Sequence, residues 1–135
     1  MEQYKISYIG DLRTECTHSS GAAFHTDAPK DNQGKGLDFS PTDLLAVSLG
    51  SCMLTLMAIE ARRLNVDLKG TKVDVQKEMS AKPPRRIARL IVRFRCPSNF
   101  SKDIQDKLEQ AAVHCPVHFS LHPDVKQEID FVWGI

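Results

Sequence analysis

A run of 16 residues, Leu44 to Ile59, carries no charge and is opened by Ser40-Pro41-Thr42-Asp43. No other segment constrains the fold as much. Ser40 suits an N-cap because its hydroxyl can accept a free backbone N–H, and Pro41 fits the first helical position. Asp43 completes an acidic variant of the capping box and complements the positive end of the helix dipole. The pattern predicts a helix from this start to about Leu64, with Asn65 and Gly70 allowing the exit. Large apolar side chains point in every direction along the run, and a helix with no polar stripe has to be buried all round. A membrane span needs roughly 20 apolar residues. This run is shorter and includes Ser48, Gly50, Ser51 and Thr55, so a core helix and no membrane partner are expected.

Covering six turns of helix completely is hard for a single chain of 135 residues. A domain of that size buries only about two-thirds of its unfolded surface. The simplest cover is a second copy, so a homodimer with this helix near its centre is expected. Ala46, Ser48, Gly50 and Ser51 would let another backbone approach closely.

The rest of the chain reads as strands and a second helix. Gln3 to Ile9 alternate, with Tyr4, Ile6 and Tyr8 on one side, which predicts a half-buried strand ending at Gly10. Leu12, Thr14 and Cys16 suggest a second strand and Ala22 to Thr26 a third. Asp27 to Asp38 hold Pro29, Asn32, Gly34 and Gly36 and read as a loop. Val73 and Val75 mark a strand, and Pro83-Pro84 a turn. Ala88, Leu90, Val92, Phe94 and Cys96 then alternate with Arg89, Ile91, Arg93 and Arg95 as one long strand. Ser98 or Ser101 starts a helix through Ile104, Leu108, Ala111 and Ala112, and Val125 to Trp133 form a last strand. The order implies one α+β domain over residues 1–135, built on antiparallel sheet.

Charge narrows the function. Eighteen Lys and Arg against 17 Asp and Glu leave a net charge of +1. Nucleic-acid and membrane-surface binders draw much of their affinity from a basic excess, so a small substrate or a protein partner is expected instead. Arg89, Arg93 and Arg95 look like the wet face of a strand. The start, Met1-Glu2-Gln3-Tyr4-Lys5, lacks a basic stretch followed by an apolar core. No export signal is therefore expected, and a reducing cytoplasmic setting follows.

In that setting the four cysteines are thiols to be judged singly, since no CxxC occurs. Cys16 and Cys96 fall on core-facing strand positions and are expected to be inert. Cys52 lies 12 residues past the proposed N-cap, beyond the reach of the helix dipole. If reactive, it needs a cation brought by tertiary structure; otherwise it is a small core residue. Cys115 precedes Pro116, which suits the start of a short helix through Leu121. A thiol there would sit at an N-cap, where free N–H groups favour the thiolate.

Phe39-Ser40-Pro41-Thr42-Asp43-Leu44-Leu45-Ala46-Val47-Ser48-Leu49-Gly50-Ser51-Cys52 resembles the helix that carries the reactive cysteine in the OsmC/Ohr family. These are the osmotically inducible and organic-hydroperoxide-resistance proteins. Cys115-Pro116-Val117 followed by a strand is similar to the family's second-cysteine segment, and element order and length agree throughout. The resemblance implies antiparallel sheets wrapped around long central helices in an intertwined homodimer, with active sites at the subunit interface. It implies a thiol-dependent peroxidase for organic hydroperoxides, with Cys52 peroxidatic and Cys115 resolving. No cofactor is implied, only an external dithiol or lipoyl-type reductant. An N-terminal arginine supplies the activating cation in such enzymes and a glutamate orients it. Arg13 matches the arginine. Thr42 stands where that glutamate is expected, with Asp43 beside it, as in a less characterised branch of the family. Asp43 or Glu60 is the candidate to orient Arg13.

Three other readings compete on the residues alone. His114, Cys115, His118 and His122 offer zinc-ligand types without paired-ligand spacing. Cys52 with a histidine could form a hydrolase, which needs an oxyanion hole. A non-enzymatic module, binding a ligand or sensing redox state in an interface cavity, would leave the thiols incidental.

Overall fold

The computed structural model describes residues 1–135 and resolves into two compact units, Met1–Leu45 and Ala46–Ile135. The boundary falls inside the long helix.

The first unit is an antiparallel sheet of β1 (Lys5–Gly10), β2 (Arg13–Thr17) and β3 (Ala23–Asp27), followed by a loop with one 3-10 turn at Lys30–Asn32. Asp11 and Leu12, at φ 55° and 61°, form the two-residue turn between β1 and β2. Positive φ at both turn positions matches the twist of a hairpin. Leu12 therefore belongs to the turn rather than to the strand expected from its side chain. The half-buried expectation for β1 also fails. Tyr4, Ile6 and Tyr8 are 55%, 64% and 68% exposed, because nothing in the chain covers that face. Asp27 is fully buried and accepts the Leu37 N–H at 2.9 Å, tying the loop to β3.

Helix α1 runs Pro41–Arg63. Its start is the predicted capping box: the Asp43 N–H donates to Ser40 Oγ at 3.1 Å, and the Ser40 N–H to Asp43 Oδ2 at 2.9 Å. Each satisfies a donor that the helix leaves unpaired.

In the second unit, α1 packs on a sheet of β4 (Lys72–Met79), β5 (Ile87–Cys96) and β6 (Lys126–Trp133). Ala46, Leu49, Gly50, Met53, Met57 and Ala61 are its buried residues, spaced as one helical face. They join Leu90, Val92, Phe94 and Cys96 of β5, and Leu108 and Ala112 of α2 (Lys102–Val113), in the core. A Cβ at Gly50 would stand 2.7 Å from Val75 Cγ2, so only glycine allows this approach of α1 to β4. Ser101 caps α2, and α3 spans Pro116–Ser120.

One expectation about the sheet needs correction. β5 and β6 pair in parallel, with Phe94 opposite Phe131, so this sheet is mixed rather than antiparallel. The connection between them carries α2 and α3, and a helical crossover of that length returns the chain in the same direction. One chain by itself does not bury α1 all round. Leu45, Val47 and Ile59 stay 45%, 46% and 59% exposed. By length and composition α1 could cross a bilayer, but its Leu49, Met53 and Met57 face belongs to the core.

The wet face of β5 is neutralised by its neighbours. Arg89 pairs with Glu78 and Glu128, Arg93 with Asp130 and Arg95 with Asp74. The sheet thus presents alternating charge, which offers no anion-binding patch.

Candidate redox site

α1 carries Cys52 near its middle, one residue before the fully buried Met53, and the side chain is partly exposed. Cys115 is fully buried and caps α3. Pro116 occupies the first turn, so the chain enters α3 with its free N–H groups directed at Cys115. The His118 N–H donates to Cys115 Sγ at 3.5 Å.

The two thiols are close enough for Cys52 to act on Cys115. Burial pushes the Cys115 thiol up from its ordinary range, and Cys52 pushes it the same way. The backbone N–H groups of His118 and Val117 pull it down, and the upward effects win. Cys115 is thus held as a thiol near neutral pH, within reach of a partner sulfur.

The other candidate residues have partners of their own. Arg13, on β2, pairs with Asp38 at 3.7 Å, while its Nε is buried without a hydrogen-bond partner. Asp38 lies in the loop before α1, and the sequence reading passed over it. Asp43 completes the capping box with Ser40. Glu60 is held by Arg63 one turn on, and that guanidinium lowers its carboxyl below the usual range. Cys96 is buried, which raises its thiol, and Cys16 lies 3.8 Å from Thr14 Oγ1.

The histidines do not converge on a metal. His114 Nδ1 bonds the Gln110 carbonyl at 2.7 Å, His118 Nδ1 bonds Gln127, and His122 pairs with Asp124. No group of three or more His, Cys, Asp or Glu side chains is arranged to hold an ion.

Fold and site define an α+β protein in which a helix-borne cysteine faces a second cysteine at the cap of a short helix. The chain belongs to the OsmC family: the family model described as OsmC-like protein matches residues 34–130. Among solved structures it is similar to a candidate osmotic stress induced and detoxification response protein from Psychrobacter arcticus 273-4. That match has 44% identity and a TM-score of 0.92, and covers 98% of this chain and 96% of that one. A hypothetical protein from Aquifex aeolicus VF5 matches at 16% identity and TM-score 0.81, covering 98% and 96%. The Legionella pneumophila organic hydroperoxide resistance protein OsmC matches at 14% and 0.76, covering 97% and 96%. The last two share the fold. No curated protein sequence matches the chain.

Proposed function

We propose that this protein is a cytoplasmic, thiol-dependent peroxidase that reduces organic hydroperoxides and works as a homodimer. The observation that carries the reading is the closeness of Cys52 on α1 to the buried Cys115 that caps α3. In the proposed cycle, the Cys52 thiolate attacks the distal peroxide oxygen and the O–O bond breaks. The alcohol departs after taking up a proton, leaving Cys52 as a sulfenic acid. The Cys115 sulfur then attacks Cys52 Sγ, and water leaves with the sulfenic oxygen. An external dithiol, lipoyl-type or otherwise, reduces the resulting disulfide by two exchanges and becomes a disulfide itself. Arg13 is the proposed cation for Cys52. The apolar, exposed face of α1 supports both a second copy and an apolar substrate.

A second reading, a redox-sensing or ligand-binding module without turnover, is favoured by Thr42 in place of the orienting glutamate. Consumption of an organic hydroperoxide by the protein with a dithiol separates the two. Turnover lost in Cys52→Ser is expected; equal consumption by wild type and Cys52→Ser would remove the peroxidase reading.

A further inference from the structure

His118 and Gln127 are joined twice. His118 Nδ1 meets Gln127 Oε1, and Gln127 Nε2 donates to the His118 carbonyl at 3.2 Å. With Oε1 as acceptor, Nδ1 must carry the imidazole proton. Gln127 lies on β6, so this bracket fastens the first turn of α3 to the sheet. The same turn aims the His118 N–H at Cys115 Sγ, 3.5 Å away. Phe119 N–H to the Cys115 carbonyl and Leu121 N–H to the Val117 carbonyl complete it at 3.2 and 3.1 Å. A helix of five residues does not hold its shape by its own hydrogen bonds. The bracket supplies the missing constraint.

That constraint matters where Cys115 carries charge. When a Cys52–Cys115 disulfide is reduced, the incoming thiolate must reach one of the two sulfurs. Cys52 is partly exposed and Cys115 fully buried, so attack falls on Cys52. The S–S bond breaks, its electron pair leaves on Cys115, and that thiolate later takes a proton from solvent. The second thiol of the reductant then displaces Cys52 and closes the reductant's own disulfide. A leaving sulfur departs faster when donors stabilise its negative charge, and those at Cys115 are backbone N–H groups.

We propose that Gln127 is a positioning residue for disulfide reduction: by bracketing His118 it holds backbone donors on Cys115, the leaving sulfur. The inference rests on the reading of Cys52 and Cys115 as a redox pair, but not on peroxide as the oxidant. The test is therefore run without peroxide. The protein is oxidised with diamide, and reduction of its disulfide by dithiothreitol is timed between pH 6 and 9. Gln127→Leu and His118→Leu should each slow reduction about fivefold, the effect of one well-placed hydrogen bond. His118→Asn, whose amide can replace the Nδ1–H donor, should stay near the wild-type rate. Melting temperatures identify variants that have lost the fold, and of the two His118 variants only His118→Asn keeps a side-chain donor for Gln127. Equal rates for folded Gln127→Leu and wild type, or equal slowing by His118→Asn and His118→Leu, would overturn the proposal. Absence of an intramolecular disulfide after diamide would overturn it together with the redox pair. Peroxide consumption that ignores Cys52→Ser would remove only the peroxidase reading.

Discussion

The thiol of Cys115, at the cap of α3, lies close enough to that of Cys52, in the middle of α1, for Cys52 to help raise its pKa. Their roles should separate on mutation. Cys52→Ser should abolish dithiol-dependent peroxide consumption, whereas Cys115→Ser should still react once. In Cys115→Ser the sulfenic acid should accumulate and be trapped by dimedone on Cys52, read by mass spectrometry. In wild type it should be consumed as disulfide.

Alkaline pH should weaken the fold through the buried thiols. Cys115 and Cys96 are both raised, first by burial, above the ordinary 9.0. The unfolded chain then releases these protons more readily than the folded one. Stability is therefore unaffected below about pH 9 and falls as pH climbs toward the folded values. Melting temperature measured from pH 7 to 11 should drop above pH 9, and less steeply in Cys96→Ala.

Gly50→Ala should destabilise the protein despite alanine's advantage of about 1 kcal/mol in a helix. Its Cβ would stand 2.7 Å from Val75 Cγ2 and 3.3 Å from Val73 Cγ1. Valine is stiff at χ1, and overpacking costs about 1–3 kcal/mol. The net loss should reach up to about 2 kcal/mol by urea denaturation, with Val75→Ala restoring most of it.

If a second copy covers α1, charge on its exposed face should break the assembly. Val47 and Ile59 are 46% and 59% exposed within the chain. Val47→Asp and Ile59→Asp should shift sedimentation equilibrium from dimer toward monomer, since an unpaired buried carboxylate costs several kcal/mol. Wild-type protein that sediments as a monomer at all concentrations would remove the homodimer from the proposed function.

Arg13 is the proposed cation, with Asp38 as its partner at 3.7 Å. If it serves Cys52, Arg13→Ala should lower dithiol-dependent peroxide consumption at pH 7 at least about tenfold while leaving the melting temperature near wild type. Unchanged consumption would remove Arg13 from the proposed mechanism.

Local signals in the sequence determined much of this protein. Ser40, Asp43 and Ser101 are helix starts because a side-chain oxygen there meets free N–H groups, whatever surrounds them. Cys115 before Pro116 is an N-cap for the same reason. The alternation from Ala88 to Cys96 already sorted Leu90, Val92 and Phe94 into the core and the arginines into water. Only the tertiary structure decided what depends on which segments meet. Nothing in Val125 to Trp133 distinguishes a parallel from an antiparallel neighbour; the crossover through α2 and α3 does. Period-2 alternation placed Tyr4, Ile6 and Tyr8 on one face, yet a pattern states which side is apolar and not whether anything covers it. Gln127 is one polar residue on an alternating strand, and its hold on His118 exists because β6 passes beside α3. The meeting of Cys52 and Cys115 is likewise a product of packing, since burial and proximity are properties of the folded chain.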